Sequence, residues 1–152
     1  MQIVENQKDL LEDFISLNEE WISKYFELEK SDFELARDPE KIIRSGGYIF
    51  SIRYKQSAVG VCALFSEGNG IYELARMAVS PKFQGKGLGS KLVLAAIQKA
   101  KEIGATRLYL ISNTKLETAI ALYKKHGFQT ESLGQHPLYS RANITMSYHP
   151  ER

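Results

Sequence analysis

One segment near the middle of the chain constrains the fold more than any other. In residues 79–90 a strand-like run ends, a short turn follows, and Gly85, Gly87 and Gly89 lead directly into a helical pattern. Glycine lets a backbone approach a ligand closely, and the free N–H groups and dipole of a helix N-terminus favour an anion. The segment therefore predicts a strand–turn–helix unit that binds an anionic group, with a plain turn as the alternative.

The residues before this segment change from a helical to a strand-like period. Apolar residues recur at helical spacing over residues 6–28. A capping-box pattern in residues 31–34 predicts a second helix, and Asp38 followed by Pro39 predicts a third helix start. Three strand-like runs follow, separated by hairpin-turn sequences: residues 48–54, 58–65 and 71–79.

Helices and strands alternate in the second half of the chain. The helix after the glycines ends at Gly104, and a capping-box pattern in residues 114–117 opens another helix that ends at Gly127. Strands are predicted in residues 107–112, 128–131 and 143–148. The whole pattern predicts one α/β domain over residues 1–152, with a mixed, mostly antiparallel central sheet flanked by helices.

Composition excludes several classes of protein. With 152 residues, 43% hydrophobic, the chain is long enough for a core, and its net charge of +2 argues against a nucleic-acid binder. The longest apolar run, residues 58–65, is too short to span a membrane, and residues 1–10 show no secretory signal. The single cysteine, Cys62, fits a reducing cytoplasm. The oligomeric state stays open, a homodimer included.

The net charge hides an uneven distribution. Residues 1–44 carry a net charge of −6, and residues 45–152 carry +8. One interpretation is that the two parts face ligands of opposite charge. The alternative is that the first helices simply have acidic solvent-facing surfaces.

Two known phosphate-binding patterns do not fit the glycine segment. Lys86 is followed by Gly87 where the Walker A pattern needs Ser or Thr, and Ser90 occupies the third-glycine position of the dinucleotide fingerprint. The run Gln84-Gly85-Lys86-Gly87-Leu88-Gly89 instead resembles the acetyl-CoA loop of the GNAT N-acetyltransferase superfamily. Residues 119–128, Ala-Ile-Ala-Leu-Tyr-Lys-Lys-His-Gly-Phe, resemble a later helix of the same family. The resemblance covers residues 47–149 well.

The resemblance implies a GNAT-like fold that uses acetyl-CoA as cosubstrate. The strand end would hold the acetyl thioester and pantetheine through the backbone of Met77, Ala78 and Val79. The loop that follows would bind the pyrophosphate through its N–H groups: Gln84, Gly85, Lys86, Gly87, Leu88, Gly89 and Ser90. Tyr123 matches the family tyrosine that can protonate the departing CoA thiolate; the alternative is that Tyr123, on an apolar helix face, serves only for packing.

Glu73 is the candidate general base. Strict strand alternation places it on an otherwise apolar face, which predicts a raised carboxyl pKa suited to taking a proton from an ammonium group. That face contains Ile71, Ala75, Met77 and Val79. Glu73 also resembles, in its position, the glutamate that some family members use as base. A solvated glutamate, or a partner of Arg76 or Arg53, is the alternative.

The remaining candidates concern the cofactor and the acceptor. Leu116 replaces an asparagine that often contacts CoA in this family; Asn113 could supply that contact, or be a turn residue. Tyr139 and Arg141 would flank the acceptor, with Arg141 paired to a substrate carboxylate or lying at the surface. No metal site is expected, because the three histidines show no ligand spacing. Trp21, Tyr25 and Phe26 are expected to pack in the core or between helix and sheet.

These features predict acetyl transfer from acetyl-CoA to a primary amine by direct attack, with no membrane or nucleic-acid partner. A small-molecule or amino-acid-like acceptor is favoured. The alternatives are acetylation of protein N-termini or lysines, and an acyl-CoA-binding sensor without catalysis.

Overall fold

Seven strands form one sheet in the computed structural model, which describes residues 1–137 and 139–149. The strands lie in the order β1-β2-β3-β4-β5-β7-β6, and only β4 and β5 are parallel. Their bounds are β1 Gln2–Glu5, β2 Tyr48–Tyr54, β3 Ser57–Ser66, β4 Ile71–Val79, β5 Arg107–Ser112, β6 Phe128–Leu133 and β7 Ile144–Tyr148. The predicted fold class, a mixed and mostly antiparallel sheet flanked by helices, is confirmed.

Helices cover both faces of the sheet, and each face has its own apolar cluster. The helices are α1 Leu11–Tyr25, α2 Lys30–Arg37, α3 Lys41–Arg44, α4 Leu88–Glu102 and α5 Glu117–Lys125. On one face α4 and α5 bury Leu92, Ala96 and Tyr123 against the sheet. On the other face α1 and α3 bury Phe14 and Ile42. Both longest helices have 15 residues, and the described part of the chain contains no helix long and apolar enough to cross a membrane.

The parallel pair β4–β5 separates soon after it begins. Only Ile71, Tyr72 and Glu73 of β4 pair with β5, although β4 continues to Val79. Residues 74–79 pair with β3 on one side only. The sheet therefore opens between the second halves of β4 and β5.

A bulge at Arg76 changes which side chains of β4 share a face. Arg76 has a left-handed φ of 58°, and the register shifts so that Ala63 faces Ala75 while Val61 faces Ala78. After the bulge Met77 and Val79 pack on the α4 face, whereas Glu73, opposite Phe65, lies on the α1 face. The prediction that Glu73 shares a face with Met77 and Val79 is therefore wrong, because strict alternation does not continue through a bulge.

The first strand was missed, and α2 begins one residue before its predicted cap. Gln2–Glu5 pairs antiparallel with β2 as an edge strand, and four mostly exposed residues carry too little pattern to predict it. Helix α2 begins at Lys30, and the Asp32 carboxylate accepts the backbone N–H of Glu29 at 2.8 Å, so Ser31 is not the cap.

Two further predicted helix starts are also displaced. Helix α5 begins at Glu117 rather than after Thr114, whose hydroxyl instead accepts a hydrogen bond from the Asn143 amide at 3.0 Å. Helix α3 begins at Lys41, because the side chain of Asp38 pairs with Arg44 instead of capping the helix.

Candidate active site

A cleft of about 790 Å³ lies where β4 and β5 separate. Residues from both faces of the sheet line it, so it passes through the sheet. Of the site residues predicted from sequence, all but Lys86 line this cleft: Glu73, Met77, Ala78, Val79, Gln84, Gly85, Gly87, Leu88, Gly89, Ser90, Asn113, Tyr123, Tyr139 and Arg141. Lys86 belongs to the same loop but is exposed and is not among the lining residues.

The N-terminus of α4 faces the cleft. Gly87 precedes the helix with a φ of 79°, a conformation that a side chain disfavours, although nothing lies within 4 Å of where its Cβ would be. The N–H groups of residues 88–90 have no acceptor within the helix, since the first intrahelical bond runs from Lys91 to Gly87. This end of the cleft therefore offers backbone donors and a helix dipole to an anion.

Two side chains hold the glycine loop in place. The Gln84 amide donates to the carbonyl of Val79 at 3.3 Å, which ties the loop to the end of β4. The Ser90 hydroxyl contacts Nε2 of His126 at 3.0 Å, which joins the first turn of α4 to the end of α5. Burial and the neighbouring charge of Lys125 lower the pKa of His126.

The Glu73 carboxylate opens into the cleft from the α1 face. The residue is only 8% exposed, and none of the described residues donates a hydrogen bond to its carboxylate. Burial, with a smaller effect of the negative charge of Glu67, raises the pKa of Glu73 to about 7, while Arg76 acts in the opposite direction. Glu73 can therefore exchange a proton near neutral pH.

The Tyr123 hydroxyl reaches the cleft from the α5 face. Its ring packs against Phe128, with centroids 6.0 Å apart, so the packing interpretation holds for the ring. The hydroxyl makes no hydrogen bond to any described residue. Every fully buried side-chain oxygen of the described residues has a hydrogen-bond partner, so the Tyr123 hydroxyl is not fully buried and is accessible from the cleft. Burial, with a smaller effect of Cys62, raises the pKa of Tyr123, which therefore keeps its proton at neutral pH.

Residues 77–79 line the same cleft as these two side chains. One edge of this segment pairs with β3, and the edge that faces β5 earlier in the strand has no strand beside it. Unpaired backbone groups at an opened sheet edge can bond to a ligand that enters the gap.

Asp32 joins three elements beside the cleft. Its side chain is 2% exposed and accepts Nη1 of Arg76 at 2.5 Å, together with both terminal nitrogens of Arg141 at 2.6 and 3.1 Å. Burial alone would raise the pKa of Asp32, but the bonds from Arg141, the Glu29 backbone and Arg76 lower it to about 2. The Arg141 fork, expected to be available to a substrate carboxylate, is thus already paired.

Asn113 and Tyr139, two further predicted site residues, contact other residues of the protein. The Asn113 amide donates to the carbonyl of Arg141, and its side-chain oxygen accepts the N–H of Lys115, so the structure shows the turn role. Tyr139 is exposed, and its ring lies 5.0 Å from that of His136. Within residues 1–137 and 139–149 no three His, Cys, Asp or Glu side chains are grouped as metal ligands.

Sequence reasoning missed several residues of the cleft. Trp21, Tyr25 and Phe26 were expected in the core or between helix and sheet; Trp21 does pack against the cluster beneath α1, but all three also line the cleft, and Tyr25 is 40% exposed. Their spacing at the end of α1 is that of any buried helix face, so nothing in the sequence distinguished them from core residues. The pairing of Asp32, beside the cleft, with Arg76 and Arg141 was missed because these residues are distant in the chain.

Comparison with known proteins agrees with this architecture. A structure from Staphylococcus aureus Mu50, an acetyltransferase of the GNAT family, superimposes with a TM-score of 0.85 at 22% identity, covering 99% of both chains. A phosphinothricin acetyltransferase from Sinorhizobium meliloti, solved with acetyl-CoA, gives a TM-score of 0.73 at 17% identity, covering 97% of this chain and 88% of its own. At these identities the likeness shows the fold alone.

Sequence relatives show the family. The uncharacterized N-acetyltransferase YvbK of Bacillus subtilis is 30% identical over 106 residues, 67% of this chain and 68% of YvbK. YjgM of Escherichia coli, also an uncharacterized N-acetyltransferase, is 41% identical over 70 residues, 46% of this chain but only 42% of its own length. The profile of the acetyltransferase (GNAT) family matches residues 10–128. The chain therefore belongs to the GNAT family of acetyltransferases.

Proposed function

We propose that this protein transfers an acetyl group from acetyl-CoA to the primary amine of a small molecule. The observation that carries the proposal is the pair of unpartnered groups in one cleft. The Glu73 carboxylate lies on one face of the opened sheet and the Tyr123 hydroxyl on the other. A base and an acid on opposite sides of a reacting carbonyl suit direct displacement.

Acetyl-CoA would enter from the α4–α5 side. Its pyrophosphate suits the N–H groups at the start of α4, and its thioester suits the unpaired edge of residues 77–79. The phosphinothricin acetyltransferase with the same fold binds acetyl-CoA. Gln84 supports this site by fixing the loop to Val79, while the exposed Lys86 adds charge near it.

The reaction needs one proton to move from nitrogen to sulfur. Glu73 accepts a proton from the amine as its nitrogen attacks the thioester carbonyl carbon, and the carbon–sulfur bond then breaks. Tyr123 donates its proton to the departing sulfur, because a bare thiolate is costly among apolar side chains. An acceptor that binds as an ammonium first loses one proton to solvent. As product leaves, Glu73 releases its proton to solvent and the Tyr123 phenolate takes one from solvent, so the proton lost by the amine in the attack balances the one gained by CoA.

Free thiol release with acetyl-CoA and a panel of amines tests this proposal. We expect Glu73→Gln and Tyr123→Phe each to lower kcat/KM by about 100- to 10,000-fold, the range of general acid–base catalysis. Glu131→Gln and Tyr48→Phe are the matched controls, since neither residue lines the cleft, and both should retain turnover. Tight CoA binding with no turnover of any amine would instead indicate a sensor domain.

A further inference from the structure

The acceptor end of the cleft is aromatic. Trp21, Tyr25 and Phe26 come from the end of α1, with ring centroids of Tyr25 and Phe26 at 5.3 and 6.2 Å from Trp21. Phe65 joins them from β3, where it lies directly opposite Glu73. Trp21 and Phe65 pack on the same face of the sheet as Glu73. An acceptor that reaches Glu73 from this face therefore passes aromatic side chains.

The arginines near this end have no free charge for an anion. Among the described residues that line the cleft, the guanidinium groups are those of Arg76 and Arg141, and both are paired with the buried Asp32. Glu29 adds a second negative charge, 4.0 Å from Arg141. These paired charges therefore cancel, and the other charged side chains of the described lining are those of Glu73, Lys115 and Glu117.

The lysine in the lining already has partners at the aromatic end. Lys115 donates from Nζ to the carbonyl of Tyr25 at 3.1 Å, and its ammonium lies 4.0 Å from the Phe26 ring centroid. It is exposed rather than buried beside Glu73. Its contact also shows that an ammonium group can lie over this aromatic cluster.

We infer that the acceptor is an amine attached to an aromatic body, without a carboxylate on the carbon that bears the amine. The inference rests on the proposed function and specifies its substrate class. An ammonium cation gains from the carboxylate of Glu73 and from aromatic rings. The α-carboxylate of an amino acid lies two bonds from the nitrogen, and would be buried near Glu73 with no unpaired arginine among the described lining residues to neutralise it.

Three probes that differ by one feature each test this inference. Phenethylamine has the aromatic body alone, L-phenylalanine adds the α-carboxylate, and propylamine removes the ring. We expect kcat/KM with acetyl-CoA to be at least about tenfold higher for phenethylamine than for either of the others. Equal or better turnover of L-phenylalanine or propylamine would overturn the inference while leaving acetyl transfer intact.

Binding gives a second readout that does not depend on turnover. Trp21 is the single tryptophan of the chain and lines the cleft, so its fluorescence in the CoA-bound protein reports a ligand in this pocket. We expect phenethylamine, but not L-phenylalanine, to change the emission saturably. If phenethylamine binds in this way but no thiol is released with any amine, the ligand class inferred for the pocket stands and the proposed catalysis fails. If phenethylamine does not bind, the inference fails.

A matched pair of variants locates the aromatic contribution. Phe26→Leu removes a ring from the cleft, whereas Phe33→Leu makes the same change on the exposed side of α2, outside the lining. We expect Phe26→Leu to weaken phenethylamine binding about two- to fivefold and to leave propylamine unaffected. Equal effects of the two variants would contradict a role for the aromatic cluster.

Discussion

At the scale of single residues, the chemistry of the cleft depends on how Glu73 titrates. The carboxylate has a pKa of about 7 because it is buried and lies near the negative charge of Glu67. A base must be deprotonated to accept a proton, so kcat/KM should rise with pH through an acidic limb near pH 7. A pH–rate profile measures this limb, and Glu73→Gln should remove it together with most of the activity.

The charge of Glu67 gives a way to move that limb without touching the cleft. Glu67 accepts a hydrogen bond from Tyr109 and raises the pKa of Glu73. Glu67→Gln removes the negative charge, so the pKa of Glu73 should fall and the acidic limb should move to lower pH. Glu131→Gln, at an exposed position paired with Arg107, is the control and should leave the limb in place. A limb unmoved by Glu67→Gln would show that another group titrates.

The same burial means that the charged form of Glu73 destabilises the folded protein. Its folded-state pKa of about 7 exceeds the ordinary value of 4.5, so the folded protein binds the proton more tightly. The contribution of Glu73 to the free energy of unfolding is therefore fully present below about pH 4.5 and is lost as pH rises through 7. Glu73→Gln should raise the free energy of unfolding at pH 8 by up to about 3 kcal/mol, with a much smaller gain at pH 4.5. Denaturant unfolding at both pH values checks the sign; an equal gain at both would contradict it.

At the scale of elements, local chemistry was predictable and long-range pairing was not. The strands Tyr48–Tyr54, Ile71–Val79 and Arg107–Ser112 have their predicted bounds, because apolar patterning and turn residues act over a few positions. The bulge at Arg76 was not predictable, because it depends on the register with β3 and on Asp32, 44 residues away. The glycine loop was predictable for the opposite reason: positive φ and a helix start are local properties.

The two ends of α4 allow the ligand role of the glycine loop to be separated from its conformational role. Gly87 and Gly104 have φ values of 79° and 70°, and neither has an atom within 4 Å of its missing Cβ. Gly87→Ala and Gly104→Ala should therefore each cost about 1 kcal/mol of stability. Gly87 alone lines the cleft, so only Gly87→Ala should also raise KM for acetyl-CoA. Steady-state kinetics and denaturant unfolding of both variants test this, and equal KM values would place the pyrophosphate elsewhere.

At the scale of the whole molecule, ion pairs between distant segments explain part of the uneven charge of the chain. The acidic first 44 residues include Asp32, which binds Arg76 in the sheet and Arg141 in the segment before β7. Part of the negative charge thus neutralises part of the positive charge across the cleft. Composition showed the imbalance, but the pairing spans 109 residues between Asp32 and Arg141, a distance that no local pattern reports.

This ion-paired cluster should be a main tie between the N-terminal helices and the rest of the fold. Asp32→Asn leaves two arginines without a buried counter-charge, which should cost about 3–5 kcal/mol at neutral pH. Asp38→Asn removes the carboxylate of a comparable pair with Arg44, but that pair is exposed, so little change is expected. Because the pKa of Asp32 is lowered to about 2, its contribution is present above about pH 4 and is lost as pH falls toward 2. The difference in the free energy of unfolding between wild type and Asp32→Asn, measured with denaturant, should therefore shrink over that range. A difference that persists unchanged to pH 2 would show that the cluster stabilises the fold by packing rather than by charge.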